Sequence, residues 1–322
     1  PPHPEGAFRR ELKMHSKSRE FTGTGTALIT PFKRDGTIDE EALRRLVDFQ
    51  EENGVDMLLP CGSTGEAACL GREEHLQVIE IVIDQAKKAK VVAGAGSNCT
   101  REAIDLSMEA ADMGADAILS ISPYYNKPTQ EGIVKHYEAI AEAAGVPVIV
   151  YNVPGRTGLN ITAETEARLA DIPNIVGVKE ASGDLGQVKA VIDNKKEDFV
   201  VLSGDDSMTY DVMGAGGDGV FSVVSNCCPK EVSQMVDFLK DGEMGKAKEI
   251  HERMLPLFKG VFCESNPIPI KYIMSRMGFG VDFLRLPLTP ISDKGRATLD
   301  PILEQYGLTP KTTCKGLSLI HI

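Results

Sequence analysis

Apolar runs recur along the chain, and each is followed by a loop and then by an amphipathic segment. The runs are continuous rather than alternating, which is typical of parallel strands buried on both faces. There are eight of them: TALITPF, VDMLLPCG, KVVAGAG, DAILSISP, PVIVYNVP, NIVGVKEA, FVVLSGDD and DGVFSVVS. The pattern therefore predicts eight strand-helix units in succession.

The segments between the runs carry apolar residues at helical spacing. Leu43, Leu46 and Val47 share one face of the first such segment. The spacing Thr37-x-x-Glu40 before it matches a capping box, so we predict that this helix starts at Thr37.

Eight units within residues 21–239 fit a (β/α)8 TIM barrel better than a doubly wound sheet, which usually has a G-x-G-x-x-G turn after its first strand. The glycine cluster here, at residues 214–219, precedes the eighth run, and we interpret it as a helix end and tight turn. After residue 240 the pattern is purely helical. The predicted fold is α/β, a TIM barrel with a C-terminal helical appendage.

The same patterns divide the chain into four segments. Residues 1–20 and 308–322 are neither periodic nor capped, and we interpret them as a non-native leader with a disordered N-terminus and a non-native tail. Residues 21–239 form the predicted barrel and residues 240–307 the helical region.

Charge and composition exclude several kinds of partner. A formal net charge of −12 disfavours nucleic acid and anionic membranes, both of which attract clustered Lys and Arg. No apolar run approaches the roughly 20 residues of a membrane helix, and no secretory signal is visible, so we expect a cytoplasmic protein. The seven cysteines form no C-x-x-C pair and the six histidines are scattered, so we expect no metal.

Active sites of such barrels lie at the carboxyl ends of the strands. Lys179 stands at the end of the sixth run. From its position alone, a structural ion pair with a neighbouring carboxylate is as good an explanation as catalysis. The chemistry of the other strand ends has to decide between the two.

The other strand ends carry hydroxyls and a second cation. Ser63 and Thr64, with the backbone N–H groups around them, offer a receptor for a carboxylate, although GSTGE could also be turn chemistry alone. The fourth and fifth runs end in three phenols and an arginine: Tyr124, Tyr125, Tyr151 and Arg156. A single tyrosine usually serves packing, but three beside two cations favour chemistry.

Five motifs occur in one order: GSTGE, SPYYNKP, YNVPGRTG, GVKEASGD and LSGDD. Together they resemble the pyruvate-dependent class I aldolase superfamily, and within it the dihydrodipicolinate synthase family, over residues 21–307. The resemblance implies a lyase that condenses pyruvate with L-aspartate 4-semialdehyde to 4-hydroxy-tetrahydrodipicolinate, in the diaminopimelate route to lysine. It implies no cofactor, because Lys179 itself forms a Schiff base with pyruvate.

The resemblance also assigns the remaining roles. Tyr151 is the proton-transfer tyrosine, and the Thr64 hydroxyl links it to Tyr125, which enters from a neighbouring subunit. Ser63 helps to bind the carboxylate of pyruvate, and Arg156 receives that of the semialdehyde. The pyruvate pocket is lined by Gly204 and by Phe221, where many relatives have an aliphatic residue.

Sharing of Tyr125 implies a homo-oligomer, in this family usually a tetramer built from tight dimers. Regulated members bind L-lysine at the dimer interface, so L-lysine is a further expected ligand. The matching positions are Ala67, Ala68, His75, Asn98, Glu102 and Tyr124. Arg72 stands where regulated relatives often have histidine, and its charge could weaken binding of a cationic ligand.

Two alternatives remain open. Relatives with the same lysine cleave sialic acid or 2-keto-3-deoxy sugar acids, but Arg156 argues against them because a polyhydroxylated substrate needs no second cationic anchor. A non-catalytic barrel that binds a ligand would have to keep the lysine and all the hydroxyls by chance.

Overall fold

A computed structural model describes residues 18–308 and contains one closed barrel of eight parallel strands. Each strand pairs with the next along the chain, and the first pairs with the eighth. The predicted (β/α)8 fold is therefore confirmed. The strands are β1 Gly23–Ala27, β2 Met57–Leu59, β3 Lys90–Gly94, β4 Ala117–Ile121, β5 Val148–Asn152, β6 Ile175–Glu180, β7 Val200–Ser203 and β8 Gly219–Ser222.

Nine α-helices surround or connect the strands, and three more follow the barrel within the described residues. The first nine are α1 Glu40–Glu52, α2 Arg72–Gln85, α3 Thr100–Asp112, α4 Gln130–Ala143, α5 Pro154–Thr157, α6 Ala163–Leu169, α7 Leu185–Asn194, α8 Thr209–Gly214 and α9 Pro229–Lys240. The last three are α10 Met244–Gly260, α11 Ile268–Arg276 and α12 Asp293–Tyr306. Short 3-10 helices occur at Ser18–Phe21, Ala67–Cys69, Asp206–Met208 and Val224–Asn226.

Two apolar cores result from the alternation of side chains along the strands. Every second residue points into the barrel, where Met57, Leu59 and Ile149 belong to a separate inner cluster. The residues between them, such as Leu58 and Val150, pack against the helices in the larger outer cluster. Both faces of each strand are thus buried, which is why the runs are continuously apolar.

The first strand and the first helix begin elsewhere than predicted. β1 ends at Ala27, and the apolar residues after it lie in a loop where Phe32 is fully buried. At the helix start, the Asp39 carboxylate accepts a hydrogen bond from Ala42 N, so Asp39 rather than Thr37 is the N-cap. The Thr37 hydroxyl donates to Asp35 instead.

The glycine cluster at residues 214–219 behaves as expected. α8 ends at Gly214, and Gly217 N donates to Val212 O to close the turn. Gly216 has a φ of +105°, which only glycine adopts readily.

The C-terminal helices are tied to the barrel through the loop after β2. Lys271 of α11 and Glu66 form an ion pair of 2.5 Å in which both side chains are almost completely buried. The second Glu66 oxygen accepts from Arg285 N at 3.0 Å. Residues 18–20, inside the predicted leader, belong to the first 3-10 helix, while residues 1–17 and 309–322 lie outside the described part. No helix of the described part is long and apolar enough to cross a membrane.

Candidate active site

Lys179 lies on the inner face of the barrel near the carboxyl end of β6 and is only 6% exposed. It stands in register with Tyr151 on β5. Its Nζ is 4.4 Å from the centroid of the Tyr151 ring and 5.6 Å from that of Phe221. Among residues 18–308 no carboxylate lies within ion-pair distance of this amine, so the structural ion pair considered above is not formed.

Burial lowers the pKa of Lys179 to about 7, because desolvation disfavours the ammonium form. The carboxylate of Asp206 opposes this by raising the pKa, and the Arg156 guanidinium lowers it further. Asp206 is itself held in place by hydrogen bonds from Val223 N and Val224 N. Near neutral pH, Lys179 is therefore a neutral amine in a large fraction of the protein molecules.

The hydroxyls of the adjacent residues Ser63 and Thr64 have different neighbours. Burial raises the pKa of Tyr151, and the charge of Arg156 and the Ser63 side chain oppose that rise. Thr64 Oγ1 instead accepts a hydrogen bond of 2.9 Å from Asn266 Nδ2. Of these two hydroxyls, that of Ser63 is therefore the one that acts on the pKa of Tyr151.

Arg156 lies in α5, directly after β5, at the rim of the site. Its Nη2 donates to the main-chain oxygen of Asn266 at 3.0 Å. Its charge lowers the pKa values of both Lys179 and Tyr151, so it is electrostatically coupled to the buried pair. A carboxylate that binds here would lie near the amine.

Gly204 is packed too closely for any side chain. A Cβ at this position would be 2.6 Å from Ala181 Cβ and 3.2 Å from Lys179 Cε. The backbone N–H of Gly204 donates to Glu180 O at 2.8 Å. A glycine here leaves the Lys179 side chain its space.

Phe221 is fully buried on β8, in register with Gly25 on β1. A Cβ at Gly25 would lie 2.4 Å from Phe221 Cδ1. The ring therefore occupies the space that a side chain on β1 would otherwise take. The Phe221 ring thus lies against Gly25 of β1, and its centroid is 5.6 Å from Lys179 Nζ.

Tyr125 does not join this group within one chain. Its side chain is 88% exposed, and its φ of +72° is uncommon for a residue other than glycine. Tyr124 beside it is partly exposed.

One open cavity of about 640 Å³ is lined by part of the predicted site. Its lining includes Ser63, Tyr151 and Arg156, whereas Lys179 lies just behind Tyr151. Five of the predicted lysine-binding positions line the same cavity: Ala67, Ala68, His75, Glu102 and Tyr124. The sixth, Asn98, donates from Nδ2 to Tyr124 O at 3.1 Å. The two predicted sites are therefore continuous in a single chain.

The predicted lysine-binding side chains already have partners. The Glu102 carboxylate accepts a short hydrogen bond from the Ser97 hydroxyl. His75 Nε2 is 2.7 Å from Gly94 O, and burial lowers the pKa of this imidazole. The charge of Arg72 is paired with Glu109 at 2.9 Å, so it is not directed solely at the cavity.

The residue that sequence reasoning missed is Asn266. It lies between α10 and α11, contacts Thr64 and Arg156, and lines the cavity. Its only sequence signal is the NPIP segment, which reads as a helix start. No group of three or more His, Cys, Asp or Glu side chains in residues 18–308 could hold a metal ion.

A barrel with a buried, unpaired lysine at a strand end, next to a phenol and an arginine, has the features of the aldolases that use an imine. The chain belongs to the dihydrodipicolinate synthetase family, whose sequence model matches residues 20–306. It is 51% identical to 4-hydroxy-tetrahydrodipicolinate synthase of Chloroherpeton thalassium over 292 residues, which is 90% of this chain and 97% of that one.

Solved structures give the same relationship. The dihydrodipicolinate synthase of Acinetobacter baumannii, determined in complex with pyruvate, is 44% identical with a TM-score of 0.88, over 89% of this chain and 99% of that one. The enzyme from Cyanidioschyzon merolae, determined with lysine bound, is 41% identical with a TM-score of 0.87, over 90% and 99%.

Proposed function

We propose that this protein is a 4-hydroxy-tetrahydrodipicolinate synthase, which condenses pyruvate with L-aspartate 4-semialdehyde through a Schiff base on Lys179. The observation that carries the proposal is the state of Lys179: buried, without an ion-pair partner among the described residues, and with a pKa of about 7. An amine in that state can attack a ketone at neutral pH.

In the first half-reaction, neutral Lys179 adds to the ketone carbon of pyruvate, and loss of one water leaves the imine. The imine withdraws electrons, so a proton leaves the methyl group and an enamine forms. We assign the Tyr151 phenol to carry these protons, with the Ser63 hydroxyl as the next member of the relay. Hydroxyls move protons without leaving a charge in a site of low dielectric constant.

The carboxylate of pyruvate needs a receptor on the other side of the amine. We assign this role to Thr64, whose hydroxyl is held by Asn266, and to the N–H groups of the loop that contains it. Gly204 and Phe221 bound the pocket in which the methyl group of pyruvate would lie. This assignment exchanges Ser63 and Thr64 and leaves the chemistry unchanged.

In the second half-reaction, the enamine carbon attacks the aldehyde carbon of L-aspartate 4-semialdehyde and forms the new carbon–carbon bond. The aldehyde C=O double bond opens, and its oxygen takes up a proton to become the hydroxyl group of the product. Arg156 binds the carboxylate of this substrate, a task suited to its two-pronged guanidinium. The substrate's ammonium group then loses a proton, and the resulting amine displaces the Lys179 amine from the imine carbon. That displacement closes the ring and frees the enzyme, so one water is released per turnover.

The exposed Tyr125 supports an assembly in which this phenol enters the site of a second copy, in a tetramer of two dimers. No cofactor is needed, because the lysine itself supplies the electron sink. We place the enzyme in the cytoplasm. We further propose that residues 21–239 and 240–307 act as one catalytic unit, since Asn266 from the second segment contacts two residues of the site.

L-lysine is the proposed inhibitor. The positions Ala67, Ala68, His75, Asn98, Glu102 and Tyr124 adjoin the cavity, and Glu102 offers a carboxylate to an ammonium group. The pairing of Arg72 with Glu109 weakens the repulsion that this arginine would exert on a cationic ligand.

Borohydride reduction in the presence of pyruvate tests the proposal. We expect a single three-carbon adduct on Lys179, found by peptide mapping, and none in Lys179→Ala. Lys271 serves as an internal control, because it is equally buried but paired with Glu66. An adduct that persists in Lys179→Ala, with activity retained, would overturn the assignment.

The acceptor is tested separately by offering wild-type enzyme three aldehydes with pyruvate: L-aspartate 4-semialdehyde, succinic semialdehyde and N-acetylmannosamine. The first should be consumed fastest. Faster consumption of N-acetylmannosamine would instead favour a sialic acid lyase.

A further inference from the structure

Asn266 joins two parts of the site that are far apart in sequence. Its side-chain amide donates to Thr64 Oγ1 at 2.9 Å, and its main-chain oxygen accepts from Arg156 Nη2 at 3.0 Å. The residue is only 6% exposed and lines the cavity. One residue of the C-terminal region therefore contacts the proposed receptors of both substrate carboxylates.

The side-chain oxygen of Asn266 has no hydrogen-bond partner among the described residues, although it is buried. A buried acceptor without a donor is unfavourable, so such an atom in a binding site is a natural place for a ligand's donor. Pyruvate supplies none, since its carboxylate and ketone only accept and its methyl group does neither. The aldehyde supplies an ammonium group with three N–H donors.

The position of Arg156 limits where that ammonium can lie. In L-aspartate 4-semialdehyde the ammonium and the carboxylate are attached to the same carbon. A carboxylate bound to Arg156 therefore brings the ammonium close to whatever adjoins that guanidinium. Asn266 adjoins it directly, through its own main-chain oxygen.

We propose that Asn266 Oδ1 accepts a hydrogen bond from the ammonium group of the aldehyde and so selects L-aspartate 4-semialdehyde over aldehydes that lack the amine. This inference rests on the proposed function. The Nδ2 of the same amide keeps Thr64 in place, so Asn266 aligns the two substrates while it recognises one of them.

Succinic semialdehyde is the matched probe, since it keeps the carboxylate and aldehyde of the natural substrate and lacks only the ammonium. The pyruvate imine is formed first, and each aldehyde is then added to a separate sample. After set times, the imine that remains in each sample is trapped with borohydride. The measured quantity is the preference, meaning the ratio of second-order rate constants for the two aldehydes. Melting temperatures confirm that each variant is folded.

In Asn266→Ala we expect the preference to fall roughly ten- to a hundredfold, as loss of a hydrogen bond to a charged group implies. The fall should come from slower reaction of the natural substrate. The main-chain bond to Arg156 remains in this variant. Asn266→Asp retains an acceptor and adds a negative charge, so it should keep or increase the preference, and it decides the matter alone if the alanine variant does not fold.

Thr64→Val controls for the alignment of pyruvate. This substitution removes the hydrogen-bond partner of Asn266 Nδ2. It should slow the reactions of both aldehydes by the same factor and leave the preference unchanged. The inference is overturned by an unchanged preference in Asn266→Ala, by a loss of preference in Asn266→Asp, or by a loss of preference in Thr64→Val. Failure of the wild type to form the imine at Lys179 would instead remove the proposed function, and this inference with it.

Discussion

The pH dependence of imine formation tests the state of Lys179 directly. With a pKa of about 7, Lys179 is neutral in about 90% of the protein molecules at pH 8 and in about 10% at pH 6. A lysine with an ordinary pKa of ~10.4 would be only about 0.4% neutral at pH 8. The fold thus raises the reactive fraction roughly 200-fold at pH 8, by burying the amine without a paired carboxylate.

The initial rate of borohydride-trapped adduct formation should follow this fraction. It should fall about fivefold between pH 7 and pH 6 and about tenfold per pH unit below pH 6, and above pH 8 it should level off. Two variants should move the inflection in opposite directions. Arg156→Gln removes a cation that lowers the pKa of Lys179 and should shift the inflection upward, whereas Asp206→Asn removes an anion that raises it and should shift the inflection downward.

Each shift should be on the order of one pH unit. Arg168→Gln is the matched control, since Arg168 is an exposed arginine paired with Glu131, and it should leave the inflection near 7. An inflection near 10 in the wild type, or shifts of the same sign in Arg156→Gln and Asp206→Asn, would refute this account of the site.

Three further outcomes are expected. Tyr125→Phe and Tyr151→Phe should each be nearly inactive, yet mixed oligomers of the two should regain activity; no recovery on mixing would place Tyr125 in its own subunit's site. Gly25→Ala should lower the free energy of unfolding in urea by about 1–3 kcal/mol, because its Cβ would lie 2.4 Å from Phe221, and adding Phe221→Leu should restore most of that loss; no restoration would mean that the two do not compete for space. L-lysine should inhibit the wild type at saturating pyruvate and not inhibit Glu102→Thr; an equal response would remove Glu102 from the regulatory site.

The barrel could be predicted because its strands must be apolar on both faces, and seven of the eight runs contain their strand in full. The first predicted strand begins at Thr26, three residues after the start of β1 at Gly23. β1 begins with Gly23 and contains Gly25, which carry no side chain to signal a strand. The apolar residues that follow belong to a loop whose Phe32 contacts Phe283 and Lys271 of the C-terminal region. The absence of a side chain at Gly25 is explained by Phe221, because the Phe221 ring fills the space that such a side chain would take.

The polar side chains at the strand ends could also be identified from the sequence, but not the neighbour of each hydroxyl. Ser63 and Thr64 are adjacent, and in an irregular loop the side chains of adjacent residues point in different directions. Which of them meets Tyr151 depends on the path of the loop after β2. That path is fixed by the ion pair of Glu66 with Lys271, a residue 205 positions away.

The comparison of two buried lysines shows where sequence reasoning stops. Lys179 and Lys271 both lie in apolar segments, and burial lowers the pKa of each. The charge of Glu66 opposes that effect at Lys271 through a direct ion pair, whereas Lys179 is without such a pair among the described residues. The difference between a structural cation and the proposed nucleophile is therefore the presence of one carboxylate, brought in by a contact that no local pattern encodes. The contacts of Asn266 are likewise not encoded by a local pattern, because its partners Thr64 and Arg156 are 202 and 110 positions away.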